Sequence, residues 1–182
     1  MRKLILFAFV SLIFFSCEKD DPIVPHEEEL ITTMNLTLTP DSGEVVLFTF
    51  SDLDGDGGDD PSISTEALRA NTVYSATLEL LNATESPAED ITEEIREENE
   101  EHQFFFRSNA GLDLSVEYND QDDSGNPLGV ETNFSTGAPS SGQLIVTLRH
   151  EPNKSASGVS EGDISNAGGE TDIEVTFDVV IE

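Results

Sequence analysis

The chain has 182 residues, 36% of them hydrophobic and 25% charged, enough for one modest core plus small appendages. Its 38 acidic residues against 8 basic ones give a formal charge of -30. That balance excludes partners held by phosphate neutralisation, nucleic acid and anionic lipid surfaces alike. Two readings of the acidity stand side by side: solubility in salty or crowded surroundings, and attraction of cations.

Arg2 and Lys3 precede an apolar run from Leu4 to Phe15 in which Ser11 carries the only hydroxyl. The run is shorter than the roughly 20 residues of a membrane-spanning helix and has the form of a cleavable export signal over residues 1–16. Ser16 is followed at once by Cys17, the sole cysteine. A lone thiol cannot close an internal disulfide, and its position matches the acylated cysteine of bacterial lipoproteins, where fatty chains such as palmitate replace the leader as membrane anchor. Phe14 and Phe15 depart from the commonest processing motif, which has Leu and a small residue there. Loss of Arg2 and Lys3 with the leader leaves 38 acids against 6 bases, or -32. Glu18-Lys19-Asp20-Asp21 resembles the Lys-acid-acid signal that sends Bacteroidota-type lipoproteins to the outer face of the outer membrane. Pro22 and Pro25 stiffen the acidic stretch 17–29 into a tether.

From residue 30 to 182 the pattern predicts one domain. Met34, Leu36 and Leu38 alternate with polar residues, a half-buried strand. Pro40-Asp41-Ser42-Gly43 then turns the chain into a second strand over 44–51. A third is expected over 73–81. Residues 88–101 read as a short helix: Asp90 and Glu93 have capping-box spacing, and Ile91 and Ile95 share a face. Strands follow over 103–107, 112–118, 131–135, 143–149 and 171–181. A Ser-, Gly- and Asn-rich loop occupies 151–169. Phe104-Phe105-Phe106 implies a strand covered on both sides, by the core and by the preceding helix. Short antiparallel strands with turns between them predict an all-β fold, an immunoglobulin-like antiparallel β-sandwich with one short helix.

Nucleophilic catalysis finds little support: there is no Gly-x-Ser-x-Gly and no Gly-rich phosphate cradle after a strand. Cation chemistry has more candidates. Asp52, Asp54 and Asp56 alternate with Gly residues close by, like the first half of a calcium loop, although Ile63 stands at the twelfth position. Asp120, Asp122, Ser124 and Gly125 with Glu131 at the twelfth position form a looser match between strands. Either segment also reads as an ordinary acidic turn. Each histidine has acidic neighbours, and His plus carboxylate is a borderline ligand set for Zn²⁺ and similar ions. His102 and His150 fall at strand edges where two loops could meet at one end of a sandwich, with Glu98, Glu101 and Glu151 beside them. Glu98 and His102, four apart, share a face if the helix runs that far. His26 lies in the tether. The competing reading is of plain surface histidines.

Taken together, the segments Glu27-Glu28-Glu29-Leu30-Ile31-Thr32-Thr33, Asp52 to Gly58, Glu101-His102-Gln103-Phe104-Phe105-Phe106, Leu148-Arg149-His150-Glu151-Pro152-Asn153-Lys154 and Gly168-Gly169-Glu170-Thr171-Asp172 carry a resemblance. The chain resembles a family of small Bacteroidota lipoproteins often labelled "type 1 periplasmic binding fold superfamily protein", whose activity is not settled. That label implies a two-lobed α/β receptor, whereas the strand pattern predicts β structure. The resemblance also implies company: such lipoproteins often accompany outer-membrane TonB-dependent receptors. The expectation is therefore a non-enzymatic, outer-membrane-anchored, surface-exposed binding module that captures a cation or small ligand. The alternative is a structural or adhesion protein rigidified by calcium; a hydrolase ranks third.

Overall fold

The computed structural model describes residues 30–55 and 58–182. The expected leader, Cys17, the tether with His26, and Asp56 lie outside the described residues. No helix among the described residues is long and apolar enough to cross a membrane.

Alternation dictates the first strand. In β1 (Thr33–Pro40) Met34, Leu36 and Leu38 are fully buried while the residues between them face outward. It pairs antiparallel with β2 (Val46–Ser51) on one side and β4 (Val73–Asn82) on the other. The expected hairpin through Pro40 is thus present. The sheet extends through β3 (Ser62–Ser64) at one edge and through β8 (Glu131–Thr136) and β7 (Leu114–Tyr118) at the other, in the order β3-β2-β1-β4-β8-β7. A two-residue β5 (Glu89–Asp90) also pairs with β4. The second sheet has three antiparallel strands in the order β10-β9-β6: β6 (His102–Ser108), β9 (Ser140–His150) and β10 (Glu170–Ile181).

The two sheets share one core, so the architecture is sandwich-like and mostly β, with one short helix. Phe48 of the first sheet meets Phe177 of the second with ring centroids 5.6 Å apart, and Phe106 meets Phe134 edge-on at the same separation. Phe48, Phe134 and Phe177 are fully buried, and each contributes several kcal/mol, on the order of 3–5 by truncation.

The helix is shorter than expected. α1 (Ile91–Glu97) begins at Asp90, whose carboxylate accepts the Thr92 N–H, and buries Ile91 and Ile95 on one face as the spacing requires. It stops at Glu98 because Glu97, Glu98, Glu100 and Glu101 repel one another and the chain must turn into β6. Thr92 fastens α1 to the sheet, its hydroxyl accepting from Leu80 N–H at 2.8 Å and donating to Leu80 C=O at 3.3 Å. Replacing the cap, Asp90→Ala, is expected to cost about 1 kcal/mol in urea denaturation, with the slope unchanged.

The aromatic triplet is covered on both faces, but not by the helix. Phe104 enters the main core, while Phe105 packs against Val159 and Ala167 of the 151–169 segment. That segment contains two 3-10 turns, Val159–Glu161 and Ile164–Asn166, and folds back as a cover over the outer face of β6. Gln103 Nε2 donates to Val159 C=O at 3.0 Å beneath it. The Tyr118 hydroxyl donates to Phe104 C=O at 2.7 Å; burial pushes its pKa up to about 12, the Gln103 hydrogen bond opposes this and the Asp120 charge adds to it.

Candidate metal centre

His102 and His150 are register partners, opposite each other at the end of the β6–β9 ladder. Cross-strand neighbours lie close enough for their side chains to touch. Here the two imidazoles stack, with centroids 4.8 Å apart and planes 20° from parallel. His102 is wholly buried, facing the core beside the end of α1. Its position is fixed by Glu98, though not by the carboxylate expected from the sequence. Nδ1 lies 3.2 Å from the Glu98 backbone carbonyl. A carbonyl only accepts, so Nδ1 carries the proton and Nε2 points the other way. Glu98 thus acts behind the site, orienting the ring, as backbone carbonyls commonly do for metal-binding histidines.

What Nε2 points at was not anticipated. The β9–β10 register shifts between Thr171 and Ile173, a bulge with Asp172 at its centre. The irregularity turns Asp172 toward the histidine pair instead of leaving it at a regular ladder position. Its carboxylate is 2% exposed, with Oδ2 3.8 Å from His102 Nε2 and Oδ1 3.9 Å from His150 Nδ1. Across the His150 ring, Nε2 faces Glu101 Oε2 at 3.8 Å. One ligand atom each from His102, His150 and Asp172 lies within 4.8 Å of the others, and the same holds for Glu101, His150 and Glu151. Of the five residues expected to hold a transition metal, four fall into these two groups. Glu98 contributes its carbonyl, and Asp172 is the addition.

The separations have a chemical meaning. At 3.8–3.9 Å these pairs are longer than hydrogen bonds. Two donors on one tetrahedral Zn²⁺, each about 2.0–2.1 Å away, stand roughly 3.3 Å apart, so closing on an ion shortens the two His–Asp edges by about 0.5–0.6 Å and draws the stacked rings together as well. One divalent ion set between them would meet both imidazoles and the carboxylate at once.

The calcium candidates are placed differently. Asp52 accepts the Gly55 N–H and Asp54 the Asp59 N–H, each at 2.9 Å, so both carboxylates brace their own loop. They also line an open cleft of about 580 Å³, together with Phe50, Leu53, Asp172 and Glu174. Asp120 accepts the N–H groups of Gly129 and Glu131 at 2.7 and 2.8 Å. Asp122 accepts from Ser124 N–H, Asn126 N–H and Lys154 Nζ. Glu131 thus meets Asp120 through its backbone, and none of these carboxylates joins the two groups described above. In the second loop the charge against Asp122 is an ammonium, that of Lys154.

No protein-family model, no curated protein and no solved structure matches this chain.

Proposed function

We propose that the protein is a non-enzymatic binding module, anchored in the outer membrane by acyl chains on Cys17 and exposed at the cell surface, that captures a divalent transition-metal ion. The sandwich, which we read as immunoglobulin-like on its size and its two facing antiparallel sheets, serves as a rigid scaffold for the site. The observation that carries this reading is the buried convergence of His102, His150 and Asp172, with Glu101 and Glu151 at its outer side. Two imidazoles and a carboxylate suit Zn²⁺, Cu²⁺, Ni²⁺ or Co²⁺ better than Ca²⁺ or Mg²⁺, which take oxygen. The formal charge of -30 raises the local concentration of any cation near the surface. Delivery to a neighbouring outer-membrane TonB-dependent receptor is the natural use of such a module on a lipid tether.

Calorimetric titration tests the capture reading. Zn²⁺ or Cu²⁺ is expected to bind with submicromolar Kd, and His102→Ala to weaken binding at least 100-fold. Calcium is expected to leave the melting temperature of both the parent chain and Asp54→Ala unchanged. Calcium-dependent melting lost in Asp54→Ala, without transition-metal binding, would replace capture with a rigidified structural or adhesion role.

A further inference from the structure

His150 belongs to both ligand groups, and it does so with opposite edges of one ring. Nδ1 faces the buried Asp172 at 3.9 Å, and Nε2 faces Glu101 at 3.8 Å. The inner group is buried, with His102 at 0% and Asp172 at 2% side-chain exposure. The outer group lies nearer the surface: the Glu101 side chain is 45% exposed and Glu151 is exposed, although the facing atoms Glu101 Oε2 and His150 Nε2 are covered. Local backbone brings the outer group together. β9 ends on His150, and Glu151 follows in the left-handed region at φ 47, its N–H donating to Glu101 C=O at 2.6 Å.

We infer that the two groups are successive stations of a single cation path, with the His150 ring as the wall between them: the ion is taken first by Glu101, His150 Nε2 and Glu151, then held by His102, His150 Nδ1 and Asp172. This deepens the capture reading and rests on it. A neutral imidazole has one lone pair, so His150 ligates on one edge at a time. One ion per chain follows. As the ion moves inward its bond passes from the Nε2 edge of the His150 ring to the Nδ1 edge. Glu101 and Glu151 therefore act on the speed of loading and unloading, and Asp172 on how tightly the ion is finally held.

The test uses Co²⁺ as probe with the full chain in detergent, its visible absorption followed by stopped flow and its stoichiometry by native mass spectrometry. The path predicts one Co²⁺ per chain. Glu101→Gln/Glu151→Gln should slow loading and release alike, by about tenfold, and leave Kd within twofold. The same two charges removed at the far turn, Asp41→Asn/Glu44→Gln, should slow neither, which separates a station from general attraction. Asp172→Asn should keep fast loading and weaken Kd at least 100-fold. Two ions per chain would overturn the path, as would a Kd rather than a rate effect in the Glu double variant. Unchanged rates there with slowed loading in Asp52→Asn/Asp54→Asn would overturn it too, moving entry to the cleft. Each of those results leaves metal capture standing; an absence of Co²⁺ binding in the parent chain removes both.

Discussion

Lys154→Met is expected to destabilise the protein by about 3–5 kcal/mol, the cost of breaking a buried ion pair by deleting one partner. Lys154 Nζ lies 2.9 Å from Asp122 Oδ2, with side-chain exposures of 6% and 1%, and also donates to Asn99 C=O at 2.6 Å. One ammonium thus ties the end of the α1–β6 connection, the 119–127 turn and the 151–169 cover together. Methionine has a similar shape but leaves the Asp122 carboxylate buried without its cation, and takes a donor from the Asn99 and Pro127 carbonyls. For a domain of this size the melting temperature should fall by on the order of 10 °C. The double variant Lys154→Met/Asp122→Leu should recover much of the loss, because a buried pair replaced by apolar groups is often close to neutral.

The pH dependence of that variant has a definite sign. Burial pushes the Asp122 carboxyl up, but the Lys154 and Asn126 hydrogen bonds and the Lys154 charge outweigh it and hold the group below its ordinary value. A carboxyl with a depressed folded-state pKa adds stability that is full above the unfolded value of about 3.9 and fades as pH drops through the folded value. Without Lys154 the upward push of burial loses its main opponent, and protonation then favours the folded state. The gap between parent and variant should be widest near neutral pH and should narrow on acidification toward pH 4. A gap that stays constant from pH 7 to pH 4 would show that lost packing rather than the buried charge sets the cost.

The strands were legible because alternation is a direct consequence of a half-buried sheet. Met34, Leu36 and Leu38, or Phe177 and Val179, declare their inward face without any tertiary information. The meeting of His102 and His150 was legible for the same reason, since strands that end together bring their last residues together. Asp172 was not. A bulge adds one residue to a ladder, and in sequence it looks like a small lapse in alternation between Thr171 and Ile173. Glu98 misled because its carboxylate attracts notice, while the group that matters is a backbone carbonyl every residue has. Lys154 left a trace that could have been followed. It is the only lysine after Lys19, and a single lysine kept in so acidic a domain is a natural counter-ion for a buried carboxylate.

Gly169→Ala should damage both stability and cation affinity, because the geometry of the site depends on how closely β10 begins against the end of β9. Gly169 has φ +68, and a Cβ built there would lie 2.1 Å from the His150 carbonyl oxygen and 3.0 Å from the Glu151 carbonyl carbon. Both obstacles are backbone, so no rotamer change relieves the overlap. The left-handed conformation adds about 1–2 kcal/mol for any residue with a Cβ, and the forced displacement about 1–3 kcal/mol more. The chain must yield by moving Glu170 and the Asp172 bulge away from His150, since Glu170 is His150's own register partner. Metal affinity should therefore fall at least tenfold in a residue that supplies no ligand. Gly168→Ala is the control: it shares the positive φ, at +62, but meets nothing within 4 Å. It should lose about 1–2 kcal/mol of stability in denaturant titration and keep its Zn²⁺ affinity. Equal loss of affinity in the two variants would mean that backbone strain, not the close approach at His150, governs the site.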